Sequence, residues 1–156
     1  GATDLESEDW PFDQTDYYAA EMGPGLQRWL VSFDRLIEPD ALAEVKLETN
    51  AVEREIADSC LLPDIARPVN LDPGYLDLNK FVLATTKDAG HRIYLGRGIY
   101  AEVTLQYCHG GWQTRPWTYP DYARSEYHAF FVRARERYRE QVRQRENEMQ
   151  PLEPEA

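Results

Sequence analysis

Apolar and polar positions alternate most regularly between Lys80 and Tyr107. "KFVLATT" predicts a strand, "KDAG" a turn, "HRIYL" a strand, "GRG" a turn and "IYAEVTLQY" a long strand. In that last segment a period of two puts Ile99, Ala101, Val103, Leu105 and Tyr107 on one face. Tyr100, Glu102, Thr104 and Gln106 take the other. "CHGGWQTR" predicts a further hairpin with Gly110-Gly111 at its turn. The order of these segments is that of an antiparallel meander.

Helical periodicity occurs twice. "PDALAEVKLETNAVEREIAD" opens with Pro39, suited to a first helical turn, and repeats Leu42, Val45, Val52 and Ile56, with Thr49 and Ala51 in the seam. "EVKLETN" alone alternates like a strand, but the helical period resumes in register beyond it, so one long helix is expected. After the proline-aromatic loop "PWTYPDY", Tyr127, Phe130, Phe131, Ala134, Tyr138 and Val142 form the stripe of a second helix, with Ser125 as its N-cap candidate. Upstream, "LQRWLVSFDRLI" predicts a strand. Residues 1–16 read as an extended segment pinned by Trp10 and Phe12, and a short helix near Thr15 is stopped by Gly23, Pro24 and Gly25. Pro68, Pro73 and Gly74 make residues 67–74 a turn-rich loop.

These elements predict an α+β fold, with an antiparallel sheet of about five strands and two main helices on one face. An incomplete ferredoxin-like arrangement is the nearest named expectation. Residues 1–145 form a single domain, and the acidic residues 146–156 are expected to be a disordered tail. With 42% hydrophobic and 12% aromatic residues, the chain is too apolar for disorder as a whole. No apolar run reaches the roughly 20 residues of a membrane span, and no signal segment opens the chain, so a cytoplasmic location and no membrane partner are expected. Cys60 and Cys108 argue against a disulfide scaffold or a structural zinc cluster and read as buried, reduced thiols, with a single bridge left open.

The net charge of -11 speaks against a nucleic-acid partner. Its distribution matters more. Residues 1–66 hold 16 acids against 4 bases, whereas residues 67–145 hold 8 against 13, so the later part of the chain can attract an anion.

Five blocks, "FDQTDYYAAEMG", "LAEVKLETNAVE", "VNLDPGYLDLNKFVLATTKD", "HRIYLGRGIYAEVTL" and "WTYPDY", resemble the bacterial domain of unknown function 4416 family, in order from Phe12 to Tyr122. Members usually begin with a further strand-helix unit, which is absent here. The family has no established activity, so the resemblance implies no catalytic residue.

Phosphate-loop, dinucleotide, zinc-protease and serine-hydrolase motifs are missing. The remaining candidate site is polar and dispersed. Lys46, Asn50 and Glu53 share one helix face; Asn70 and Asp72 sit before the first meander strand; Lys87 and Arg92 flank its far turn; Glu102 lies on the long strand. Lys46, Lys87 and Arg92 present positive charge to an anion, with Asp72 and Glu102 as a general base or as oxygen ligands compatible with magnesium. Each residue has an ordinary reading beside this one. Asn70 and Asp72 suit turns, Lys87 suits a hairpin tip, Lys46 and Glu53 suit a solvated helix, and Glu102 can simply pair with Arg92. Tyr17, Tyr18, Tyr75, Tyr94, Tyr100, Tyr119 and Tyr122 suit either base stacking or sheet edges.

Two functions follow. One is binding of a small phosphorylated metabolite or nucleotide by Lys46, Asn50, Asn70, Asp72, Lys87, Arg92 and Glu102; nothing in the motifs requires a reaction. The other is a non-enzymatic protein-interaction or homodimerisation module using the acidic N-terminal segment and an exposed loop from Trp112 to Tyr122.

Overall fold

The computed structural model describes residues 1–13, 19–61 and 65–149. The helix expected near Thr15, the side chains of Tyr17 and Tyr18, and residues 150–156 of the tail lie outside them.

The meander is built as five antiparallel strands: β5 (Gly74–Leu76), β6 (Lys80–Thr85), β7 (Ile93–Gly96), β8 (Ile99–Cys108) and β9 (Gly111–Thr114). β8 pairs with β6 along one edge and with both β7 and β9 along the other. The two tight hairpins have positive φ at both central residues, Arg97-Gly98 and His109-Gly110, which matches the right-handed twist of the strands they join. The second turn therefore sits one residue earlier than the Gly110-Gly111 expected. Gly111 already pairs with Cys108 in the ladder.

Two short pairs precede the sheet. β1 (Thr3–Glu6) pairs with β4 (Val31–Phe33), and β2 (Trp10–Pro11) pairs with β3 (Gln27–Arg28). The single strand expected over residues 26–37 is thus split in two. A four-residue helix, α1 (Ala19–Met22), lies between the halves of this arm. Trp10 stacks on Tyr127 with ring centroids 4.6 Å apart, which pins the arm to the second main helix.

The α+β class, the five-stranded antiparallel sheet and the two main helices are as the sequence predicts. Placement of the helices differs, because they cover opposite faces. Phe81 and Leu83 of β6 pack with Tyr127, Phe130 and Phe131 of α3 (Ser125–Met149). Val82 and Ala84, the alternate residues, pack with Leu42 and Leu47 of α2 (Leu42–Ser59). With one helix covering each face, both sides of β6 are buried. No helix interrupts β5 to β9, whereas a ferredoxin-like unit places helices between strands. α3 runs to Met149, four residues into the segment read as tail.

β8 contains a bulge that its sequence hides. Phe81 pairs with Leu105 while Val82 pairs with Val103, so Thr104 is extra. Ile99, Ala101 and Val103 face α2, but Leu105 and Tyr107 face α3. Five residues with unbroken alternation therefore do not share one face.

The loop from Trp112 to Tyr122 is anchored on the sheet at both ends, while Gln113, Thr114, Pro116, Tyr119 and Pro120 are exposed. Trp112 and Tyr122 are buried. Trp117 Nε1 donates to Val103 O at 3.0 Å, and Thr118 Oγ1 donates to Thr104 O at 2.6 Å. These bonds satisfy the β8 carbonyls left between β7 and β9. Among the described residues, no helix is long and apolar enough to cross a membrane.

Candidate functional site

α2 turns a polar stripe inward. Leu42 and Lys46 are buried, Asn50, Glu53 and Ala57 are half-buried below them, and Val52 and Ile56 are exposed. The apolar seam predicted through Val52 and Ile56 is thus on the solvent side. The reason lies in the loop before β5, whose backbone needs partners. Leu71 is gripped at both polar groups: its N–H donates to Glu53 Oε1 at 2.7 Å, and its carbonyl accepts from Lys46 Nζ at 2.7 Å. Two residues seven apart on one helix face fit this task.

The network continues through side chains. Glu53 Oε2 accepts from Arg67 Nη2 at 3.2 Å, Arg67 also donates to Asn70 Oδ1, and Asn70 Nδ2 donates to Asp72 Oδ2 at 2.8 Å. Asp72 lies 3.6 Å from Arg28 Nη2, and Arg28 pairs through its other nitrogen with Asp121. Phe12 lies 4.5 Å from the guanidinium, measured to its ring centroid. Burial pushes the Asp121 carboxyl above its ordinary value even with Arg28 beside it, and the like charge of Asp72 adds a little in the same direction. Burial raises Tyr122 and Tyr127 as well, so both stay protonated.

Lys46 differs from the other cations of the network. It is 6% exposed, and Leu71 O is its one hydrogen-bond acceptor among the described residues. No described carboxylate forms an ion pair with it inside 4.0 Å. Burial therefore holds its pKa below the ordinary lysine value, against the more distant charges of Asp72 and Glu53.

A second network sits at the β6–β7 hairpin. Glu102, 2% exposed, accepts from Arg92 Nε at 2.9 Å, from His91 Nε2 at 3.0 Å and from Thr104 Oγ1 at 3.2 Å. Arg92 also donates to Lys87 O at 2.9 Å and to Tyr119 OH at 3.3 Å, while the His91 ring stacks on Trp117. Hydrogen bonds to Glu102 and Tyr119 outweigh burial and raise Arg92.

The predicted residues thus divide between two networks. Lys46, Asn70 and Asp72 meet in the first, with Asn50 one turn along from Lys46 on the same face. Arg92, Glu102 and the main chain of Lys87 meet in the second. Asp72 and Glu102, read together as metal ligands, belong to different networks. Among the described residues, no three His, Cys, Asp or Glu side chains come together to hold a metal ion. The segment from Tyr119 to Asp121 touches both networks, through Arg92 and Arg28.

Four further residues belong to the site: Arg28, Arg67, His91 and Asp121. Asp121 lies inside the "WTYPDY" block, and His91 adjoins Arg92, so both had a signal. Arg28 had none, because its strand pattern was mixed.

Comparison with family models matches residues 1–138 to the domain of unknown function DUF4416. The chain belongs to the DUF4416 family. All residues of both networks fall inside the DUF4416 match. No curated protein and no solved structure matches this DUF4416 chain.

Proposed function

We propose that the protein binds a small phosphorylated metabolite or nucleotide at the Lys46–Asn70–Asp72 end of the first network. The observation that carries this reading is Lys46 itself. An ammonium has three N–H donors, and Leu71 O takes one. A buried cation with no ion pair among the described residues is costly, and a phosphate or carboxylate oxygen is the kind of partner that would offset that cost. Asp72, with 39% of its side chain exposed, lies on the rim through which a ligand enters. The acidic balance of the chain keeps nucleic acid out of this reading. The same proposal places the protein in a bacterial cytoplasm, where Cys60 and Cys108, both free, stay reduced.

Melting experiments with a nucleotide and sugar-phosphate panel test it. A ligand at a hundredfold its Kd adds about 2.7 kcal/mol to stability, a clear rise in Tm. The rise is expected in the native chain and absent in Lys46→Met. A flat panel, or equal shifts in both proteins, overturns the reading.

An interaction module is the second reading, supported by a different surface from the loop first expected. Trp29, Val31 and Phe33, at a spacing of two, are all exposed, and Ile37 follows them. Light scattering across a concentration series tests it; a constant monomer mass removes the homodimer.

A further inference from the structure

We propose that Lys46 is a nucleophilic amine, and that the ligand of this site carries an aldehyde or ketone with which it condenses to an imine. This rests on the ligand-binding reading above and names its substrate class.

The chain has three lysines, and their surroundings differ. Lys80 is held as an ammonium, with Asp77 Oδ2 at 2.5 Å and a pKa raised by that hydrogen bond. Lys87 is exposed at the hairpin tip. Lys46 is enclosed and, among the described residues, bonded to one neutral carbonyl with no carboxylate inside 4.0 Å, so no contact ion pair locks its lone pair in an N–H bond. Burial acts in the same direction by disfavouring the charged form. Amines kept in such surroundings are the ones that add to carbonyls.

The chemistry balances without an added oxidant or reductant. Lys46 gives up one proton, and its lone pair forms the C–N bond while the carbonyl π pair moves to oxygen. That oxygen takes the proton; the nitrogen then loses a second, which also passes to the oxygen. The oxygen leaves as water while the nitrogen lone pair closes the C=N bond of a protonated imine. Asp72 stands beyond contact distance of Lys46, and its carboxylate reaches solvent, so it can pass these protons on only through water. Asn70, bonded to the same carboxylate, holds it in place.

Reductive trapping tests the proposal on the full chain. The protein is incubated separately with glyoxylate and with dihydroxyacetone phosphate, treated with borohydride, and all three lysines are read by peptide mass spectrometry. The expected adduct is on Lys46 at probe concentrations that leave Lys80 and Lys87 unmodified, and it is lost in Lys46→Arg. A labelling order that follows exposure, or no adduct on Lys46, overturns the proposal and leaves the lysine as a cap for Leu71. Since the wild-type labelling order is itself decisive, a poorly folded variant does not blunt the test. Melting with glycerol 3-phosphate, an anion without the carbonyl, separates the two readings. A Tm rise without a Lys46 adduct overturns the imine alone, and neither signal removes both. An adduct without a rise keeps the imine and removes phosphate recognition.

Discussion

Arg92 Nε lies 2.9 Å from Glu102 Oε2, with 8% and 2% of the two side chains exposed. A pair so enclosed depends on both members, since removing one leaves a buried charge uncompensated. Glu102→Gln is expected to cost roughly 3–5 kcal/mol. Arg92→Met in the same chain is expected to recover most of that loss, because both charges are then gone. Urea unfolding of the two single variants and the double variant checks this, with the midpoint falling at an unchanged slope. Strict additivity would show that the pair is not coupled.

Lys46→Met is expected to fold at least as stably as the native chain. The Leu71 carbonyl loses its donor, about 1 kcal/mol, while relief from burying a charge is worth roughly 1–4 kcal/mol. The pH dependence has a definite sign. Lys46 titrates below the ordinary 10.5 when folded, so between its folded value and 10.5 the unfolded chain binds more protons. Native stability from this group rises with pH through that window, and its full penalty is present below it. Methionine's advantage is therefore largest near neutrality and shrinks as the pH climbs toward 10.5. A difference between the two proteins that stays constant over that alkaline range would contradict the burial argument.

Gly74 sets the position of the loop that carries Asp72. A Cβ at Gly74 would stand 2.5 Å from Val82 O and 2.9 Å from Phe81 Cε2. The first contact is main chain within a paired ladder and has no room to yield. Gly74→Ala is expected to cost roughly 1–3 kcal/mol. It should also speed exchange of the Ala84 amide, whose hydrogen bond to Pro73 O is 3.0 Å long. Unchanged exchange at Ala84 would mean that β5 absorbs the methyl without moving.

Legibility from sequence varied with the range of the forces involved. The β6, β7 and β8 segments and the α3 stripe were readable, because strand and helix periods record which side chains leave water. The β8 bulge was not, since Thr104 continues the alternation while the ladder skips it. What holds it is non-local: Thr118 Oγ1, from the loop after β9, donates to the Thr104 carbonyl. The site was readable as a set of residue types. Its grouping was not, since Arg28 and Asp121 are separated by 93 positions and meet only after the arm has folded onto α3.

Local chain chemistry alone determined that residues 42–59 are helical and that 80–108 form a meander, because backbone hydrogen bonding and turn residues act over a few positions. It left α2 with two stripes about 100° apart around the helix, one apolar through Val52 and Ile56, one polar through Lys46 and Glu53. Tertiary structure chose the polar one. The N–H and C=O of Leu71 arrive beside the helix needing partners, and satisfying both outweighs hiding two aliphatic side chains from water.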